Sequence, residues 1–247
     1  MGCAGTKSEI TPEEALIIKG ESRLLYQEHS ATQVDMAYRK YSKGGYVNEN
    51  QWKDISKFLN LAIYNDSTPK AIQNFYTSLK SENKYSLKDL LILGIYLSKG
   101  NPEDKVRLIF EAYDSNNDKI LNKTHLQQLA AFLIELAVEK TYELIPDEEG
   151  EKVSKDDLKK FIQRLRGAKN KGKNELLKVF MGGDLTQDSV NMEKFIENLT
   201  TPSTVTLLTL AGIREFLKKQ EITSSKFAAL TSLKKNNPEA QKKLESK

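Results

Sequence analysis

A chain of 247 residues with 38 Lys and Arg against 34 Asp and Glu has a formal charge of +4, and it is long enough to bury a core without covalent staples. Its one cysteine, Cys3, excludes a disulfide framework and lies outside any plausible core. No run approaches the roughly 18 apolar residues that a membrane-spanning helix needs. Lys7, Glu9, Glu13 and Glu14 interrupt any signal-peptide pattern, so the chain is expected in the cytoplasm.

The chain opens Met1-Gly2-Cys3-Ala4-Gly5-Thr6-Lys7, which satisfies the M-G-x-x-x-[ST] pattern for N-myristoylation of Gly2 once Met1 is removed. Myristate alone holds a protein at a bilayer only marginally, and stable attachment takes a second signal. Cys3, directly after the acylated glycine, is a natural palmitoylation acceptor. The expected location is therefore peripheral, on the cytosolic face of a membrane.

From Thr11 onward helical periodicity dominates, and no segment has sustained strand alternation. Thr11-Pro12-Glu13-Glu14 is a helix start, with a capping hydroxyl, proline at the first helical position and an acid at the third. Further helices are predicted at about 31–41, 50–62, 68–80, 86–98, 102–113, 123–139, 154–166, 173–181, 191–199, 208–219 and 224–233. Phe75, Phe110, Phe132, Phe161, Phe180 and Phe195 fall on helix faces and read as core.

A repeat runs through these helices. An apolar residue followed by another five positions later recurs as Val47/Trp52, Tyr85/Leu90, Leu121/Leu126, Val153/Leu158 and Val190/Phe195, at spacings of 38, 36, 32 and 37 residues. In a helix-loop-helix calcium motif, loop position 8 is apolar because it pairs with a sister loop. Position 13 is apolar because the exiting helix packs there. The repeat predicts short strand pairings such as Val47 with Tyr85 and Val153 with Val190.

One loop carries metal-ligand chemistry. In Asp114-Ser115-Asn116-Asn117-Asp118-Lys119-Ile120-Leu121-Asn122-Lys123-Thr124-His125, the residues Asp114, Asn116 and Asp118 take positions 1, 3 and 5, and the Ile120 carbonyl and Asn122 take 7 and 9. Position 6, where the chain turns with positive φ, is Lys119 rather than glycine, a cost on the order of 1 kcal/mol. Position 12, where a glutamate would close the coordination sphere with two oxygens, is His125, and an imidazole nitrogen adds little for a hard cation. Calcium is therefore expected to bind weakly or not at all. The other loops fit worse: around Gly44-Gly45 there are no carboxylates, Lys80 falls at position 3 of the second, Pro146 opens the fourth and Lys194 ends the fifth.

With its lead-in Lys99-Gly100-Asn101-Pro102-Glu103-Asp104-Lys105, this segment resembles the third hand of the calcineurin-B-like and neuronal-calcium-sensor families of the EF-hand superfamily. The resemblance is carried by 100–140, is weaker over the rest of 31–200 and is absent from the tail. Met1-Gly2-Cys3 with Thr6-Lys7 is similar to lipidated members of the calcineurin-B-like group. It implies an all-α fold of paired EF-hand-like units, in one body or two lobes, with an extra C-terminal helical segment. The expected organisation is a lipidated terminus at 1–10, lobes at 11–100 and 101–200, and a basic helical tail at 201–247. It further implies an apolar groove for a partner helix.

Nine basic residues stand against four acidic ones from Thr201 to Lys247, and a second basic cluster comprises Lys159, Lys160, Arg164, Arg166, Lys169, Lys171 and Lys173. Such clusters suit anionic lipid, an acidic partner or simply solvent. Nucleic acid is not expected, since no zinc ligands, RNA-binding aromatics or basic-heptad region accompany them. An enzyme is not expected either. The two histidines, His29 and His125, have no motif around them, and no phosphate-binding glycine loop is present. The sequence thus reads as a membrane-tethered adaptor or weak calcium sensor that binds a protein. The alternative is a calcium-independent structural helical protein of a cytoskeletal or ciliary assembly.

Overall fold

The computed structural model describes residues 10–42, 44–61, 68–145 and 153–221. The acylation residues Gly2 and Cys3, the fourth loop and the helix expected at 224–233 lie outside the described residues. The protein is mostly helical: α1 (Pro12–Ser22), α2 (Ala31–Tyr41), α3 (Glu49–Phe58), α4 (Lys70–Ser78), α5 (Leu87–Leu97), α6 (Pro102–Tyr113), α7 (Lys123–Glu135), α8 (Lys155–Phe180), α9 (Met192–Leu199) and α10 (210–221). The helix starts follow the residues that cap them. Thr11 accepts from the Glu14 amide, and Ser30 and Asn48 form reciprocal boxes with Gln33 and Gln51.

Among the described residues five short strands lie between the helices. β1 (Tyr46–Val47), β2 (Lys80–Ser81) and β3 (Lys84–Ser86) form one antiparallel sheet in the order β1-β3-β2, and β4 (Ile120–Asn122) pairs antiparallel with β5 (Ser189–Asn191). Val47 stands opposite Tyr85, as the repeat predicts, while Val190 stands opposite Leu121 and not Val153. The reason is that Val153 only leads into α8, whose far end supplies the loop that carries Val190. Four repeats therefore pair two by two, and the fifth is a helix start. All eight apolar residues of these four repeats are buried.

One expected helix break is absent. The predicted helices at 154–166 and 173–181 are one continuous helix of 26 residues, α8. Gly167 and Gly172, which suggest an interruption, lie inside it. Gly172 is explained by packing: a Cβ at this position would lie 2.2 Å from Leu217 Cδ2 of α10, so a larger residue would have to displace the buried Leu217 side chain. Helix α7 meanwhile continues through a π turn (Leu136–Lys140) and a 3₁₀ turn (Thr141–Leu144).

A single cluster of buried apolar side chains extends from Leu16 to Leu217 and takes in both loop pairs. Its first half is aromatic, with the Trp52 ring centroid 4.8 Å from Tyr76, 5.2 Å from Tyr85 and 6.1 Å from Tyr38. Its second half joins Phe195 to Phe110 and Phe180, each at 5.6 Å. Of the six phenylalanines read as core, Phe132 is only partly buried, packed against the edge of the cluster.

The two ends of the described chain meet inside this core. Arg214 of α10 is fully buried and donates from Nε to Glu14 Oε1 at 2.8 Å and from Nη1 to Glu21 Oε1 at 2.7 Å. Nη1 also reaches the Ala137 carbonyl in the π turn and the Thr141 hydroxyl at the start of the 3₁₀ turn. Burial works against the guanidinium charge, but the two carboxylates outweigh it and raise its pKa further. Lys105 of α6 is the second buried cation. Its ammonium donates to the carbonyls of Tyr96, Ser98 and Leu208, and burial lowers its pKa to about 8.

Two predictions follow from this core. Arg214→Met removes the guanidinium from both buried carboxylates, leaving Glu14 only the 3.9 Å contact with Lys218, and should destabilise the protein by about 3–5 kcal/mol, read from urea midpoints at neutral pH. Adding Glu14→Gln and Glu21→Gln should recover much of that loss, because no unpaired charge then remains. The second concerns alkali: burial raises the pKa of Tyr26 to about 12 and those of Tyr38, Tyr96 and Tyr113 above the ordinary tyrosine value. The folded state then keeps protons that the unfolded chain releases, so this stability is complete below about pH 10 and is lost as pH rises through the folded values. In a titration of tyrosinate absorbance, these four of the ten tyrosines should ionise only together with loss of the helical signal.

Candidate functional site

The loop from Asp114 to His125 is built around its own carboxylates. Asp114 ends α6, its amide donating to the Phe110 carbonyl at 3.0 Å. Its side chain turns into the loop, where Oδ1 accepts from the Asp118 amide at 3.2 Å and Oδ2 from the Lys119 amide at 3.0 Å. Asp118 Oδ1 accepts from the Ile120 amide two residues on, at 2.9 Å, a local turn that aspartate makes readily. Asn122 closes the loop by capping α7, its side-chain oxygen accepting from the His125 amide at 2.9 Å.

Two residues take the left-handed conformation, Asn117 at φ 54° and Lys119 at φ 59°. Asparagine tolerates it. Lys119, at the sixth position, carries the backbone strain expected from the sequence. Next to it the ladder begins, and Lys123 ties the loop to its sister with its amide on the Asp188 carbonyl at 2.8 Å and its ammonium on the Leu185 carbonyl at 2.9 Å.

The sister loop starts where Gly182 and Gly183, at φ 68° and 94°, end α8 by returning their amides to Val179 and Lys178. Asp184 accepts from the amide and hydroxyl of Thr186 and from the Gln187 side chain. Those hydrogen bonds hold its carboxyl below the usual range. In the first sheet the connections carry few acids. Residues 42–48 link α2 to α3, and β2 and β3 form a tight hairpin through Glu82 and Asn83, both with positive φ.

The structure thus brings Asp114, Asp118 and Asn122 into one hydrogen-bonded loop together with the Ile120 backbone. No acid stands at the twelfth position: the His125 Nδ1 atom is buried and has no hydrogen-bond partner. Among the described residues no group of three or more His, Cys, Asp and Glu side chains is placed to hold a metal ion. What the donor set lacks is the bidentate acid that closes a calcium loop at its twelfth position. The carboxylates that are present accept the loop's own amides.

Sequence reading missed the buried polar groups Glu14, Glu21, Lys105 and Arg214. A signal was present, since each occupies an apolar helical stripe: Glu14 with Ile17 and Glu21, Lys105 with Ile109, and Arg214 with Leu210, Ile213 and Leu217. The basic cluster of α8 divides. Arg166 and Lys169 pair with Glu139 and Glu135 at the end of α7, whereas Lys159, Lys160 and Arg164 are exposed.

The missing acid gives a direct test. Calorimetric titration of the unmodified protein should give calcium binding in the millimolar range or none, against about 10⁻⁷ to 10⁻⁵ M for sensor hands. His125→Glu with Lys119→Gly should tighten it by orders of magnitude. Micromolar binding by the unmodified protein, or no binding by the double variant, would refute this reading of the loop.

No protein-family model and no curated protein matches the chain, so its own residues and their geometry carry the functional reading.

Proposed function

We propose that the chain is a membrane-tethered adaptor of EF-hand-like construction that binds a protein partner and needs little or no calcium. The observation that carries this reading is the pairing of loops two by two, Val47 with Tyr85 and Leu121 with Val190, each loop between two helices of one core. The loop at Asp114 supports the low calcium requirement, because its carboxylates are already satisfied by backbone amides. The tether rests on Gly2, Cys3 and Thr6. Among the described residues no helix is long and apolar enough to cross a membrane, so an acyl anchor is the attachment this reading calls for.

A partner helix would not find the second loop pair open. Residues 205–221 pack there: Leu207, Leu208, Leu210, Ile213 and Leu217 are buried, and the Leu208 carbonyl accepts from Lys105. A partner either displaces this segment or binds elsewhere. That filled groove also favours the second reading, a calcium-independent structural protein of a cytoskeletal or ciliary assembly.

Cell fractionation separates the two readings. The wild-type protein should sediment with membranes and be released by mild detergent, Gly2→Ala should become soluble, and Cys3→Ser should leave weak, transient attachment. Membrane-bound Gly2→Ala would refute the acyl tether. Stoichiometric retention of wild type in a detergent-resistant pellet would support the structural alternative.

A further inference from the structure

The proposed tether leaves open which side of the protein meets the lipid, and the placement of the chain start bears on it. Ile10, the first described residue, is 66% exposed, an unusual position for an isoleucine. Thr11 and Glu13 then line a cleft of about 390 Å³ against the first three turns of α8 and the end of α10. Phe161 and Leu165 are also in its lining, as are the cations Lys160, Arg164 and Lys218 and the acids Asp157 and Glu221. Cys3 is seven residues upstream of Ile10, so covalent geometry alone holds an acyl chain there within about 25 Å of this cleft.

The charge of this face is the second observation. Arg166 and Lys169 are engaged by Glu135 and Glu139, and Lys218 lies over the Phe161 ring at 4.6 Å and near Glu14. Lys159 and Arg164 have no ion pair among the described residues, and Lys160 has only a 3.8 Å contact with Asp157. Three exposed cations thus lie within six residues of one helix, and two of them, Lys160 and Arg164, line the cleft beside Thr11. Aspartates 156 and 157 lie in the first turn, where they suit the helix N-terminus.

We infer that the outer face of α8 around Lys159, Lys160 and Arg164, together with Ile10, is the surface that docks on an anionic phospholipid bilayer. This inference rests on the membrane reading but not on acylation itself, since the basic face would bind headgroups without an acyl chain. Docking there orients the protein with the start of α1 toward the bilayer. It adds an electrostatic contact to a lipid anchor that is weak when single.

The test uses the full-length chain produced without acylation, and vesicles of phosphatidylcholine alone or with 30 mol% phosphatidylserine, a composition set at about the anionic content of a cytoplasmic leaflet. The protein should sediment with the phosphatidylserine vesicles and not with neutral ones, and lose binding as salt rises. Lys159→Gln, Lys160→Gln and Arg164→Gln together should lower the partition coefficient about 100-fold, at about fivefold for each charge near the surface. Lys57→Gln with Lys84→Gln, two exposed lysines in α3 and β3 of the first half, should change it little. Equal partitioning of the triple variant and wild type would overturn the proposed face even if fractionation shows the acylated protein on membranes. Failure of both vesicle types to bind wild type at low salt would likewise overturn it, pointing to an acidic protein as the partner of these cations.

Discussion

A loop tip that turns back between two helices carries backbone amides and carbonyls that must find partners, and here they find them in another loop. The ladder Ile120 to Asn191, Leu121 to Val190 and Asn122 to Ser189 joins segments far apart in sequence and fixes α6, α7, α8 and α9 around one point. Val47 and Tyr85 do the same for the helices of the first half. Each central residue of these ladders is apolar and buried, so the strand pair that satisfies the backbone also seals the core beneath it. In the loop at Asp114 the side chains complete the arrangement, with carboxylates accepting the amides that the ladder does not use. In this loop three backbone amides are met by the carboxylates of Asp114 and Asp118.

The second constraint is charge buried in the core. Arg214 brings α10 against Glu14 and Glu21 of α1 and against the π turn after α7. The π turn contributes a carbonyl, Ala137, that the guanidinium can reach. Lys105 uses three carbonyls in a comparable way where α5, α6 and the segment before α10 converge. Such groups contribute little to stability compared with apolar residues of the same size, but they penalise any arrangement that separates their partners. They hold residues 205–221 against the second loop pair and α1 against α10, with Lys160 and Arg164 of α8 lining a cleft with Thr11 and Glu13.

Much of this was legible in the sequence because the relevant signals are local. Capping residues such as Thr11, Ser30 and Asn48 mark the starts of α1, α2 and α3, and the five-residue apolar spacing marks the loops. Position 6 of the Asp114 loop was read as strained from residue type alone, and Lys119 has the positive φ that this requires. Reading failed where the deciding contact is distant. Gly172 suggests a break, yet it exists to admit Leu217, 45 positions later in the chain. Val153 has the spacing of a loop residue, but the partner of Val190 is decided by which helices pack together. Arg214 and its two glutamates are separated by about two hundred residues, and only their location on apolar stripes hints at burial.

The central claim is that the loops pair two by two without metal. Nuclear Overhauser effects across the two ladders, recorded in the presence of EDTA, test it most directly. The account predicts cross-strand contacts between Val47 and Tyr85 and between Leu121 and Val190, undiminished by the chelator. Their absence in EDTA with recovery in calcium, or contacts from Val190 to Val153 in place of Leu121, would contradict it.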